Sequence, residues 1–117
     1  MDDRFLQQLK KGVLEMLVLD LLCQKPAYGY ELLTLLKERS NGMFYLKEGT
    51  LYPILYRLED EGLIEASWSR GDGRTTPKKI YVPTLEGREE NTRRKNLWDD
   101  FSITIHHFLQ EAANHEK

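Results

Sequence analysis

One cysteine, Cys23, stands among 117 residues, so the chain can form neither an intrachain disulfide nor a cysteine-based metal cluster, as expected of a protein in a reducing cytosol. Long hydrophobic runs are missing too. The most apolar stretch, Val13 to Leu22, contains Glu15 and Asp20 and is only half of the ~20 residues that a membrane span needs. No small-residue cleavage site follows it, so neither a membrane span nor a signal peptide is expected. Catalytic groupings are also lacking: the histidines at 106, 107 and 115 cluster in the tail, Cys23 lies in an apolar segment, and no Ser-His-Asp or Cys-His pairing is suggested. Gly71-Asp72-Gly73 has no following helix and no P-loop lysine, so it is not a phosphate cradle. His107, Glu111 and His115 share a helical face that would suit a divalent metal, but histidines near a chain end are usually solvated. No enzyme activity, metal site or cofactor is expected.

An excess of positive charge is the last absence, with 17 Lys and Arg against 19 Asp and Glu and a net charge of -2. That balance argues at first sight against nucleic acid, but charge has to be read by segment. Between Ala66 and Val82, Arg70, Arg74, Lys78 and Lys79 face Asp72 alone, so this stretch is net +3. The length and the 40% hydrophobic content suit one small folded domain, and the 31% charged share, above the usual ~25%, keeps much of it facing water.

Leu6, Leu9, Val13, Met16, Leu17 and Leu21 recur at three- and four-residue intervals, which predicts an amphipathic helix over residues 4–24, ended by Pro26. Leu32, Leu33, Leu35 and Leu36 give a short second helix stopped by Ser40-Asn41-Gly42. A third begins near Glu48 or Thr50. Thr50 is a competent N-cap, Pro53 is tolerated in a first turn, and Leu51, Ile54, Leu55 and Leu58 form the buried stripe, with Gly62 just past the end. The period then changes to two. Ile64, Ala66 and Trp68, then Lys79 to Val82, read as two strands joined by a glycine-bearing hairpin, and Thr84 caps a last helix that runs to about Asn114. This order predicts a mainly α (α+β) fold: a winged helix-turn-helix over residues 1–83 with a two-stranded wing, and a long C-terminal dimerisation helix over residues 84–117. Such a fold also serves as a plain protein-interaction module, so architecture alone leaves that alternative open.

From Glu48 to Ile64 the run Glu-Gly-Thr-Leu-Tyr-Pro-Ile-Leu-Tyr-Arg-Leu-Glu-Asp-Glu-Gly-Leu-Ile resembles the recognition-helix signature of the PadR family of transcriptional regulators. Tyr28-Gly29-Tyr30-Glu31, and Tyr81 followed by Thr84 and Gly87, extend the resemblance over nearly the whole chain. Pro83 departs from it, standing where the family commonly has an aliphatic residue. The single last helix is similar to that of the short subfamily, which includes multidrug-sensing repressors that dimerise through it. The resemblance implies a cytoplasmic DNA-binding regulator, a repressor released by a small planar aromatic ligand.

Residue chemistry gives the candidate contacts. With its stripe buried, the third helix leaves Thr50, Tyr52, Pro53, Tyr56 and Arg57 on other faces, with Lys47 just ahead of an N-terminus suited to phosphate. Arg57 either reads guanine or phosphate or pairs with Glu61 at i,i+4; Tyr52 and Tyr56 are contacts or half-buried packing residues. Arg70, Arg74 and Lys78 at the hairpin tip are expected on phosphate of double-stranded DNA. Trp98, Phe101, Ile105, Phe108 and Ala112, spaced three, four, three and four, make a seam that predicts a two-fold homodimer and hence an inverted-repeat operator, unless the helix folds back on its own domain. Trp98 looks like the tryptophan on which the multidrug-sensing relatives stack flat aromatic compounds between subunits, or else is a large dimer-core residue. Glu15, Arg94 and Phe101 are the candidate lining groups. Arg94 would favour flat acids, unless it merely pairs with Glu90.

Overall fold

The chain opens with a helix whose start is fixed by Asp3: its carboxylate accepts hydrogen bonds from the Phe5 and Leu6 amides at 3.0 and 3.2 Å, satisfying donors that the first turn leaves over. In the computed structural model, which describes residues 3–69, 73 and 76–115, the elements run α1 (Arg4–Gln24), β1 (Ala27–Tyr28), α2 (Gly29–Arg39), α3 (Glu48–Asp60), β2 (Ile64–Trp68), β3 (Lys79–Pro83) and α4 (Leu85–His115). This is the winged helix-turn-helix order. No helix among the described residues is long and apolar enough to cross a membrane.

The sheet has three strands in the order β1-β3-β2, one more than the hairpin read from the sequence. The added strand is only Ala27–Tyr28, paired antiparallel with Tyr81 and Ile80, and two residues are too few to show a period. It ties the head of α2 to the wing. Between β2 and β3 the register sets Ala66 opposite Tyr81 and Trp68 opposite Lys79.

One core joins these elements. Val18, Leu19 and Leu22 of α1, Leu32 of α2, Leu51, Leu55 and Leu58 of α3, Ile64 of β2 and Tyr81 of β3 are all but fully buried. On α1 the buried residues are Leu14, Val18, Leu19, Leu21 and Leu22; of the predicted stripe only Leu21 is among them, while Leu6, Val13, Met16 and Leu17 are half-buried and Leu9 is exposed. The second half of this helix is apolar nearly all round, so spacing alone could not select the face. The stripe left over remains unpartnered in a single chain.

Gly62 ends α3 with φ +77, a conformation that L side chains rarely adopt, and the Leu63 amide returns to the Leu58 carbonyl at 3.0 Å. The joint to α4 is built on the same two residues. The Thr84 hydroxyl donates to the Gly62 carbonyl at 2.7 Å and accepts from the Gly87 amide at 3.0 Å, while the Thr84 amide donates to the Leu63 carbonyl. Pro83 closes β3 without disturbing this turn.

Only the first turns of α4 lie on the head. Arg88 donates to the Cys23 carbonyl, Asn91 to Asp20 at 3.0 Å, and Lys95 pairs with Asp20 at 3.2 Å. Burial works to raise the Asp20 carboxyl, but the hydrogen bonds from Asn91, Lys95 and Gln24 outweigh it and hold it below the ordinary value. Beyond these contacts the helix projects. The molecule measures 70 × 36 × 21 Å with a radius of gyration of 17.4 Å, against about 13 Å for a globule of this length. A helix folded back on its own domain would not give that shape.

Candidate nucleic-acid interface and helix seam

The N-terminal half of α3 is anchored in the head by Leu51 and Ile54 and turns its remaining faces to solvent. Lys47 is the cap residue, its extended backbone letting its carbonyl accept from Thr50 and Leu51 at 3.0 and 3.2 Å. Thr50, expected as a cap, therefore lies inside the first turn and the helix starts at Glu48, the earlier of the two anticipated positions. Lys47, Thr50, Pro53, Tyr56 and Arg57 are exposed, and the buried stripe is the predicted Leu51, Ile54, Leu55 and Leu58. Tyr52 packs inward: its ring covers Gly29 so closely that a Cβ there would meet the phenol. Its neighbour Tyr56 is 53% exposed, with ring centroids 6.3 Å apart.

The C-terminal half of α3 is held by three ion pairs to three elements. Arg57 Nε meets Glu15 Oε1 of α1 at 2.6 Å, Glu59 meets Lys79 of β3 at 3.6 Å, and Glu61, just past the helix, meets Arg94 of α4 at 3.5 Å. Glu61, the i,i+4 partner that helical spacing offers Arg57 as the alternative to DNA, is thus replaced by Glu15, because α1 meets α3 there and Glu61 turns to α4. Arg94 also pairs with Glu90 at 2.7 Å, as the spacing allowed, and Arg93 takes the other side of the same carboxylate. Hydrogen bonds from Arg93 and Arg94 bring the Glu90 carboxyl down from 4.5 to about 2. Glu15 and Arg94, both candidate ligand-lining groups, already have charged partners.

On the wing, Lys78 is exposed and its ammonium lies 3.4 Å from the Tyr28 hydroxyl and 4.4 Å from that ring's centroid. Lys79 Nζ stands 5.7 Å over Tyr56 and 5.4 Å over Tyr81. Burial works to lower the Lys79 pKa, but Tyr81 and the Glu59 carboxylate outweigh it and hold the ammonium above its ordinary value. Arg70 and Arg74 lie outside the described residues. Between the wing, the head of α2 and α3 runs an open cleft of about 600 Å³ lined by Tyr28, Tyr30, Tyr52, Tyr56, Trp68 and Tyr81 with both lysines. Tyr28, Tyr30, Trp68 and Lys79 were not singled out as site residues from the sequence. The signals for them in the sequence are the Tyr28-Gly29-Tyr30 run, through the family resemblance, and the net +3 stretch that holds Lys79.

The seam of α4 is bare. Trp98, Phe101, Ile105 and Phe108 are 43, 61, 43 and 70% exposed, and the Trp98 and Phe101 rings lie 6.4 Å apart. Leu97 and Leu109 flank it and are exposed as well, while the side chain of Ala112 lies outside the described residues. Extended backwards along the same face, the seam reaches Asn91, which is buried against α1 of the same chain. Trp98 therefore stands where packing on the head gives way to an unpartnered apolar face.

Comparison with known proteins gives a consistent result. The model of the Transcriptional regulator PadR-like family matches residues 18–93. An uncharacterized protein of Lysinibacillus sphaericus is 38% identical over 101 residues, covering 86% of this chain and 91% of that protein. Among solved structures, a PadR family transcriptional regulator from Eggerthella lenta is 32% identical, with a TM-score of 0.79 over 90% of this chain and 88% of its own. A PadR-like transcriptional regulator from Bacillus cereus is 36% identical, with a TM-score of 0.76 over 88% of this chain and 97% of its own.

Proposed function

Because the chain belongs to the PadR-like family of transcriptional regulators, we propose that it works as a cytoplasmic homodimeric repressor whose hold on an inverted-repeat operator is relieved by a small planar aromatic ligand bound between subunits. The observation that carries this reading is the free half of α4. A row of exposed Trp98, Phe101, Ile105 and Phe108 on a projecting helix is costly in water unless a second surface covers it. The unpartnered stripe of α1, with exposed Phe5 and Leu9 and half-buried Val13 and Met16, is the complementary face that a second subunit offers. Two-fold pairing of these faces presents two copies of α3 to one side, with half-site centres about one helical turn of DNA or a small multiple apart.

In this reading Lys47, Thr50, Pro53, Tyr56 and Arg57 serve the major groove, Tyr52 supports them from its packing on Gly29, and Arg70, Arg74 and Lys78 serve the adjoining phosphates. Residues 1–83 are the DNA-binding head and residues 84–117 the dimerisation helix. Trp98 and Phe101 form the stacking surface for the ligand, with Glu15 and Arg94 at its rim. Arg94 is neutralised by Glu90 and Glu61, so its charge gives no preference for flat acids.

The test selects an operator from random duplexes and titrates it at several salt concentrations, with and without a panel of cationic, neutral and anionic planar dyes. Binding whose logarithmic salt slope falls by about 0.9 in Lys78→Ala supports the phosphate contact. Dye binding lost in Trp98→Ala supports the stacking site. No duplex affinity at low salt would reject DNA binding and leave a protein-interaction module; dye affinity unchanged in Trp98→Ala would reduce Trp98 to dimer packing.

A further inference from the structure

Trp68 is 68% exposed, a large aromatic left in water at the end of β2. Strand alternation explains its direction. Ile64 and Ala66, on the same face of β2, pack into or against the core, and Trp68 is the next residue on that face, two positions past the edge of the core. Its indole consequently reaches the open cleft between the wing, α2 and α3 rather than packed protein. It faces Lys79 across the strand pair, and Lys78 and exposed Tyr30 border the same cleft. Tyr81, only 1% exposed, also borders the cleft, and its buried hydroxyl has no hydrogen-bond partner among the described residues.

We propose that Trp68 is a DNA-contact residue: its indole packs on a deoxyribose of the backbone beside the groove entered by α3, while Lys78 holds the adjoining phosphate. The proposal rests on the DNA-binding reading and adds a residue to it. Two features point to this occupant. The cleft continues directly into the exposed face of α3 through Tyr56, and its polar rim is cationic, within the net +3 stretch from Ala66 to Val82. A sugar-phosphate unit offers both chemistries at once, an apolar sugar face beside an anion. Contact of this kind is indifferent to base identity, so Trp68 contributes affinity rather than sequence preference.

The experiment uses the full chain labelled with 5-fluorotryptophan, whose two tryptophans give two fluorine resonances, assigned with Trp98→Phe. Duplex binding is followed in parallel by anisotropy of a labelled duplex. On saturation the Trp68 resonance should shift and lose its solvent accessibility while the Trp98 resonance stays in place. Trp68→Ala should weaken binding about five- to tenfold on operator and random duplex alike, as loss of a modest apolar contact does, with an unchanged salt slope, and Trp68→Phe should recover part of the loss. Duplex that binds by anisotropy without moving the Trp68 resonance, or that binds Trp68→Ala as well as wild type, overturns the assignment and leaves the DNA reading standing. Absence of duplex binding overturns both. A planar dye that shifts Trp68 when duplex does not would make the cleft a small-molecule site instead.

Discussion

Gly87 and Gly12 both lie inside helices, yet replacing each by alanine should move stability in opposite directions. At Gly12 a Cβ would meet nothing within 4 Å in the single chain, so within the protomer Gly12→Ala reduces the freedom of the unfolded chain and should stabilise by about 0.5–1 kcal/mol, the added methyl lying on the α1 stripe offered to the second subunit. At Gly87 the Cβ would sit 2.9 Å from the Leu63 carbonyl carbon and closer still to its oxygen. That oxygen is backbone and also accepts the Thr84 amide at 3.0 Å, so no side-chain rotation relieves the contact. Either α4 lifts from β2 or the Gly62-Thr84-Gly87 hydrogen bonds lengthen. Overpacking costs about 1–3 kcal/mol, and a clash with backbone falls at the upper end, so after the helical gain of alanine, about 0.5–1 kcal/mol, Gly87→Ala should lose about 2 kcal/mol. At about 4 °C per kcal/mol the two variants should melt roughly 10 °C apart at equal protomer concentration. Thermal melts followed by circular dichroism measure this directly. A Gly87→Ala protein as stable as wild type would refute the close approach of α4 to Leu63, and with it the direction in which α4 leaves the head.

Two further outcomes are expected. Phe108→Asp places a carboxylate against apolar partners in the proposed dimer, a cost of several kcal/mol, so sedimentation should show monomer where wild type is dimeric; wild type monomeric at tens of micromolar would refute the seam. Glu90 has a folded pKa of about 2 against 4.5 ordinarily, so its stabilisation is complete above pH ~4.5 and is lost as pH falls towards 2. The group is partly exposed and screened, so Glu90→Gln should cost only about 1 kcal/mol at pH 7, a gap that narrows between pH 4.5 and 2 in denaturant titrations.

The elements were legible because each carries its own local chemistry. Pro26, Gly62 and Thr84 act within a few residues of where they stand, and the buried stripe of α3 has a period that no other structure fits. Elsewhere the outcome depended on what packs alongside. The apolar half of α1 offers several faces, and only the positions of α4, β3, α2 and α3 around it select Leu14, Val18, Leu19, Leu21 and Leu22. The partner of Arg57 is hidden for a related reason. Helical spacing names Glu61, but Glu15 comes from 42 residues earlier through a crossing of helices that no local pattern records. The aromatic cleft belongs to the same class, since Tyr28, Tyr56, Trp68 and Lys79 come from four elements and meet only in the fold.

The Arg57–Glu15 pair bears on how α3 is made available to DNA. With side chains 56 and 31% exposed, the pair is worth at most about 1 kcal/mol despite its 2.6 Å contact, so a phosphate or guanine can take the guanidinium from Glu15 at little cost. If Arg57 is the DNA-reading residue of this helix, Glu15→Gln should leave the melting temperature within a few degrees of wild type and tighten operator binding severalfold, because Arg57 then starts unpaired. Removing a negative charge would tighten binding somewhat at any position, so the single variant does not decide the matter. The double-mutant cycle does. In an Arg57→Ala background, which should itself weaken operator binding, the gain from Glu15→Gln should shrink to what long-range charge alone supplies. A gain of the same size in both backgrounds would show that Arg57 does not leave Glu15 for DNA, and would make the pair a fixed tie between α1 and α3.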